Sequence, residues 1–169
     1  PLYSSAASDV YKRQITPWPV VVAIMAPIAG RLSDRYPAGM LGGVGLALLA
    51  LGMASLALLP AAPSAWDISW RMALCGAGFG FFQSPNLRAI MTSAPPSRAG
   101  GASGMIGTVR LLGQATGAAL VAACFNVSTT HGAVMSLWLG GLCAALASLA
   151  SFARLRFGAV EPAQAAATR

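Results

Sequence analysis

Five long apolar runs, separated by short polar connectors, constrain the fold of this chain more than any other feature. They lie at residues 15–30, 40–60, 70–91, 104–125 and 132–153. An α-helix needs about 20 apolar residues to cross a hydrocarbon core about 30 Å thick, and the first run is short by that measure. Charged residues make up only 9% of the chain, against about a quarter in a soluble domain. The sequence therefore predicts an all-α membrane protein with five transmembrane helices.

The basic residues follow alternate runs, which predicts how the helices are oriented. Arg31 and Arg35 follow the first run, Arg98 follows the third, and Arg154 and Arg156 follow the fifth. The connectors after the second and fourth runs contain neither Lys nor Arg. Because basic residues accumulate in cytoplasmic loops, we expect the C-terminus to lie in the cytoplasm. Arg71, at the outer end of the third run, is the one exception to this pattern.

Composition also indicates where the protein works and what it binds. One Lys against ten Arg, with abundant Ala and Gly, is typical of a high-GC bacterial genome, so we expect a multi-pass protein of the bacterial inner membrane in contact with membrane lipid. The formal charge of +7 does not indicate a nucleic-acid partner, because the basic residues lie mainly between the apolar runs and form no single water-facing patch.

The residues that carry most enzyme chemistry are missing from the apolar runs. Cys75, Cys124 and Cys143 lie in separate runs without paired spacing, so no disulfide, metal site or other cofactor is predicted. No carboxylate pair and no nucleophile motif lies within the runs, which gives an intramembrane hydrolase no support. The sequence therefore favours transport over catalysis.

The two ends of the chain differ from the rest. Residues 1–14 are polar and resemble a translated adaptor sequence, so we expect a non-native or truncated segment there. The alternative is a natural outer loop whose helix starts near Val10, which would place Lys12 and Arg13 in lipid at a cost of about 2.5 to 3.5 kcal/mol each at the bilayer centre. Residues 158–169 are rich in Ala and polar, which predicts a disordered cytoplasmic tail.

The third run combines small residues with a polar cluster. Gly76 and Gly80 form a small-x-x-x-small face for close helix contact. Pro85 removes a backbone donor and predicts a kink, and Gln83 and Asn86 flank it. These two amides either form a hydrogen-bond network between helices or line a cavity that contacts substrate.

The fourth run carries a basic residue inside the membrane. One face of its predicted helix carries four residues at helical spacing: Gly107, Arg110, Gln114 and Gly117. Close helix packing is predicted at Gly113 and Gly117. An intramembrane Arg must snorkel, pair with an acid or face a water-filled cavity. Snorkelling to lipid phosphates remains an alternative, but the alignment of Arg110 with Gln114 favours the interior.

The connector between the first two runs is unusually charged. Gly30, Arg31, Asp34 and Arg35 lie within the stretch GRLSDR, and Pro37 fits the first turn of the following helix. We expect Asp34 to interact with the positive end of that helix and with Arg31 or Arg35.

Two stretches of the sequence resemble a known protein family. GRLSDRYPAG, residues 30–39, resembles the G-x-L-x-D-R-x-G loop signature of the major facilitator superfamily. Residues 70–120, which include Pro85-Asn86, Arg110 and Gly113-Gln114, are similar to its drug:proton antiporter branch with fourteen helices. The resemblance covers residues 16–157 and implies the last five helices of the C-terminal lobe.

The resemblance also implies a mechanism. Its fold has two six-helix lobes that rock about a central cavity, so the partners are the missing N-terminal lobe, a small amphipathic substrate and protons. It places residues of the 30–35 loop in a cytoplasmic gate, and Gln83, Asn86, Arg110 and Gln114 would line the substrate pathway. The loop departs from the signature at Tyr36-Pro37 and Ala38-Gly39, which replace the second Gly and the basic pair. Two alternatives stay open: a metabolite transporter on the same scaffold, and a membrane sensor or interaction module that moves no substrate.

Overall fold

The computed structural model describes residues 16–157, in which the chain forms α-helices and no strand. The helices are α1 (Pro17–Leu32), α2 (Ala38–Ala57), α3 (Ala65–Ser93), α4 (Ala99–Val127) and α5 (Gly132–Phe157), with a 3-10 turn at Pro96–Arg98 before α4. The predicted all-α fold, with one helix for each apolar run, is confirmed. The predictions for residues 1–14 and 158–169 lie outside the described residues.

Three of the five helices in the described range are long and apolar enough to cross a membrane. They cover Ala38–Ala57, Pro96–Val127 and Gly132–Leu155. The α1 helix has 16 residues and is shorter, as the sequence indicates. The α3 helix has 29 residues but carries charged and amide side chains toward both ends, which lowers its hydropathy. These side chains have specific partners or surroundings, described below.

The α3 helix begins at Ala65, well before the apolar run that predicted it. Ser64 caps it: the Asp67 amide donates to Ser64 Oγ at 3.1 Å, and the Ser64 amide donates back to the Asp67 carboxylate at 3.2 Å. This capping box stabilises the first turn although its residues are polar. Hydrogen bonds from Ser64 lower the pKa of the Asp67 carboxyl below its usual value. The S-x-x-D spacing is visible in the sequence and was the missed signal.

Glycines allow α3 to approach two neighbours closely. A Cβ atom added to Gly76 would lie 2.8 Å from the Trp18 carbonyl oxygen of α1, and one added to Gly80 would lie 3.2 Å from that of Val22. Gly78 points the other way, against Leu49 of α2. Because residues two apart project in different directions on a helix, this Gly-x-Gly-x-Gly string serves α1 and α2 at once.

Serine hydroxyls link α5 to α2. Ser148 Oγ is buried and donates to the Gly43 carbonyl at 2.7 Å, and Ser151 Oγ donates to the Gly39 carbonyl at 2.8 Å. The close approach requires small residues on α2, and Gly43 lies directly against the Phe152 ring. Such bonds take the place of a hydrophobic driving force between helices in lipid.

Replacing Ser148 with alanine is expected to weaken the α2–α5 contact by about 0.6 kcal/mol, and by no more than about 1.7 kcal/mol, the range for interhelical hydrogen bonds in membranes. The measurement is the free energy of unfolding in mixed micelles, followed by circular dichroism. Ser136→Ala is the matched control, because the Ser136 hydroxyl donates only to Gly132 in its own helix. Equal losses in both variants would show that the interhelical bond contributes nothing.

The α4 helix is the least covered of the five. Its C-terminal end contacts α5, where Gly132 lies against Phe125 and Cys124 is buried. Over most of its length the side chains are exposed. Cβ atoms added to Gly113 or Gly117 would meet nothing within 4 Å, so the packing predicted for these two glycines has no partner among residues 16–157.

Candidate functional site

A cavity of about 550 Å³ lies between α3 and α4. Its walls are Phe79, Phe82, Gln83, Asn86, Leu87 and Ile90 of α3, and Met105, Ile106, Val109 and Arg110 of α4. Three of the four residues predicted to line a substrate pathway, Gln83, Asn86 and Arg110, therefore share one cavity. Gln114 is exposed on α4 and is not part of these walls.

The local structure of α3 explains how the two amides reach the cavity. Pro85 lies between them, inside the helix, and is almost fully buried. Because proline has no N–H, the helix loses one backbone hydrogen bond at this turn. Ser84 projects toward α1, where its hydroxyl would lie 3.4 Å from a Cβ on Gly30. Gln83 and Asn86 are three residues apart and share the face that meets α4.

Arg110 is the charged residue among the cavity walls. It forms no ion pair or hydrogen bond with the residues that the structure describes, and its side chain is exposed. Its guanidinium is a fixed positive charge with donors in a planar fork. The surrounding walls are aromatic and aliphatic apart from the two amides. The cavity thus combines an apolar body with a few polar groups, as small-molecule sites do.

A second cavity, of about 500 Å³, lies between α2, α3 and α5. Asn86 and Phe82 line both cavities. Ser151 and Arg154 contribute the polar groups on the α5 side. Small residues such as Gly39 and Gly42 form the α2 wall.

The charged connector between α1 and α2 is attached to α3. Arg88 Nη1 donates to Asp34 Oδ1 and, at 3.2 Å, to Ser33 Oγ. The Ser33 hydroxyl donates in turn to the Gly30 carbonyl at 2.7 Å. The side chains of Arg88 and Asp34 are 53% and 57% exposed, so the pair is worth at most about 1 kcal/mol by itself. Its geometry nevertheless joins the connector to the helix that forms one wall of the cavity.

The partner expected for Asp34 was wrong. The sequence pointed to Arg31 or Arg35, whereas the structure pairs Asp34 with Arg88 of α3. Arg31 and Arg35 are exposed and form no ion pair within the described part of the chain. The available signal was Arg88 itself, the basic residue near the end of the third run that lies on the same side as the connector.

Arg71, the exception to the orientation pattern, lies near the N-terminal end of α3. Its guanidinium carbon is 4.9 Å from the centre of the Trp70 ring, a cation–π contact. Its charge also contributes to the lowered pKa of Asp67, after the larger effect of the Ser64 hydrogen bonds. These neighbours satisfy Arg71 only in part, because its Nε and Nη1 atoms are buried without a hydrogen-bond partner among the described residues.

The helices and the cavity define a class of protein: a multi-pass membrane protein with an open cavity between two of its helices. The family model described as Major Facilitator Superfamily matches residues 15–118. The chain therefore belongs to the major facilitator superfamily, which is a family of transporters and not of enzymes.

Two similar curated proteins are named transporters, and a third is named a multidrug resistance protein. The uncharacterized transporter YebQ of Escherichia coli K12 is 52% identical over 83% of this chain and 31% of its own length. The riboflavin transporter RibZ of Clostridioides difficile is 30% identical over 69% of this chain and 26% of its own. The multidrug resistance protein Stp of Mycobacterium tuberculosis is 32% identical over 74% of this chain and 21% of its own length. The chain thus spans about a fifth to a third of these relatives. No solved structure matches significantly.

Proposed function

We propose that this chain is part of the C-terminal lobe of a secondary transporter, which exports drugs or other amphipathic small molecules by alternating access. The observation that carries the proposal is the cavity in which Gln83, Asn86 and Arg110 meet. The similarity to a multidrug resistance protein supports export of drugs. Coupling to protons and membership of the drug:proton antiporter branch with fourteen helices belong to the same proposal and rest on the family resemblance.

The proposed setting is the bacterial inner membrane, with the C-terminus in the cytoplasm. Arg31, Arg35, Arg98 and Arg154 lie at helix ends that the alternation of helices puts on one side, which supports this orientation. The exposed length of α4 supports an N-terminal lobe of the same protein as the missing partner. In this proposal Arg110 and Gln114 face that lobe across the pathway.

The deciding experiment is efflux of a fluorescent dye from energised cells or vesicles that contain the intact protein. Arg110→Ala is expected to reduce efflux to background while membrane insertion stays normal, because the charged group of the cavity is lost. Arg98→Ala is the matched control: it removes the same charge from the exposed turn before α4 and should leave efflux unchanged. Unchanged efflux in Arg110→Ala would contradict the site, and efflux insensitive to a protonophore would contradict proton coupling.

Transport of a metabolite is the second candidate. The similarity to a protein named riboflavin transporter favours it, and Phe79 and Phe82 in the cavity walls suit a planar aromatic body. Accumulation of labelled flavin by vesicles that do not move dyes would select this candidate.

A further inference from the structure

The net charge of the cavity between α3 and α4 indicates which class of substrate it accepts. Residues 16–157 contain two carboxylate side chains, Asp34 and Asp67. Asp34 lies in the α1–α2 connector and pairs with Arg88, whereas Asp67 belongs to the cap at the outer end of α3. Neither lines the cavity. The positive charge of Arg110 is therefore not balanced by any residue that the structure describes.

Arg88 does not add to the charge of this cavity. It lies on α3 between the wall residues Leu87 and Ile90, but its guanidinium points to Asp34 and Ser33 of the connector. The ion pair cancels its charge at short range. Among the described walls, Arg110 alone determines the sign of the local potential.

An unbalanced guanidinium among apolar walls favours an anion over a cation. An anion beside Arg110 is attracted to the guanidinium, whereas a second positive charge there is repelled. The planar fork of Arg110 can donate two hydrogen bonds to one carboxylate, sulfonate or phosphate group. Gln83 and Asn86 add neutral polar groups that orient such a ligand without opposing its charge.

The remaining walls determine the rest of the ligand. Phe79 and Phe82 offer aromatic rings, and Ile106 and Val109 offer aliphatic surface. The volume of about 550 Å³ lies within the roughly 300 to 1,000 Å³ of typical small-molecule sites. A flat aromatic or aliphatic body with one acidic group fits both the walls and the charge.

We propose that the transported substrates are amphipathic organic anions, with their acidic group bound by Arg110. This inference rests on the proposed transport function and narrows it, since an exporter of lipophilic cations would need an acidic group that these walls lack. A carboxylate from the N-terminal lobe or a lipid phosphate would satisfy Arg110 in a different way. Both become outcomes of the test.

The test compares two probes with the same aromatic body, naphthalene-2-sulfonate and (2-naphthylmethyl)trimethylammonium, in proteoliposomes of the intact transporter. The wild type is expected to move the sulfonate at least about tenfold faster than the cation, the size of effect expected from one charge-assisted hydrogen bond. Arg110→Gln should lower sulfonate transport by a similar factor without slowing the cation. Arg110→Lys should retain part of the sulfonate transport, because the charge remains and the fork is lost.

Three results would overturn the anion assignment. Faster transport of the cation, lowered together with the sulfonate by Arg110→Gln, would mean that Arg110 pairs with a carboxylate of the other lobe. An Arg110→Gln effect that disappears when the phospholipids are replaced by digalactosyldiacylglycerol, which has no phosphate, would mean that Arg110 binds a lipid phosphate. Transport of dyes with neither naphthalene probe moving would contradict the anion assignment and leave the transport proposal intact. The transport proposal itself fails only if no compound is moved.

Discussion

Replacing Gly78 with leucine is expected to separate α3 from α2 and destabilise the chain by at least about 3 kcal/mol, the upper end for overpacked cores. A Cβ atom at Gly78 would fall on the backbone of Leu49 and lie 2.7 Å from the Gly45 carbonyl oxygen. Backbone atoms of a neighbouring helix cannot rotate away as a side chain can. The whole helix must therefore move, and α2 would also be displaced from α5.

The measurement is the free energy of unfolding in mixed micelles, with helix content followed by circular dichroism. Gly113→Leu is the matched control, because it makes the same change in the middle of α4, where an added Cβ meets nothing within 4 Å. The control is expected to be neutral or slightly stabilising, since glycine is a poor helix former. A loss in Gly113→Leu as large as in Gly78→Leu would contradict the close α2–α3 contact.

The helices of this fold could be predicted because lipid leaves few alternatives. Backbone polar groups in a hydrocarbon core must be satisfied within the segment, so each apolar run becomes a helix. The start of α3 was missed because Ser64 and Asp67 extend the helix with a cap that adds no hydrophobicity. Helix ends that depend on capping must be found from the capping residues themselves, since hydropathy does not register them.

The contacts between helices were harder to predict. The spacing of Gly76 and Gly80 predicts one close-packing face, but nothing in the spacing shows that Gly78 serves a second neighbour. Helical spacing also aligned Arg110 with Gln114, yet only Arg110 lines the cavity with α3. Periodicity identifies a face of one helix, and the angle at which two helices cross decides which part of that face meets the other.

The ion pair between Asp34 and Arg88 was also hard to predict, because it joins residues far apart in sequence. Its position suggests a role in transport: it fixes the α1–α2 connector to the helix that carries Gln83 and Asn86. If the connector is part of a cytoplasmic gate, this contact transmits movement of the connector to the cavity wall. A reversal of charge tests this role more sharply than simple removal.

Arg88→Asp is expected to lower transport by the intact protein by a factor of up to about 30. It removes an attraction of up to about 1 kcal/mol and introduces a repulsion of similar size, and each 1.4 kcal/mol corresponds to a factor of about ten. The exchanged pair, Asp34→Arg with Arg88→Asp, should recover most of the activity, because the attraction returns with its direction reversed. Arg98→Asp is the control, since Arg98 is exposed and forms no ion pair within residues 16–157. Efflux no better in the exchanged pair than in Arg88→Asp alone would show that the identity of each residue matters and their attraction does not.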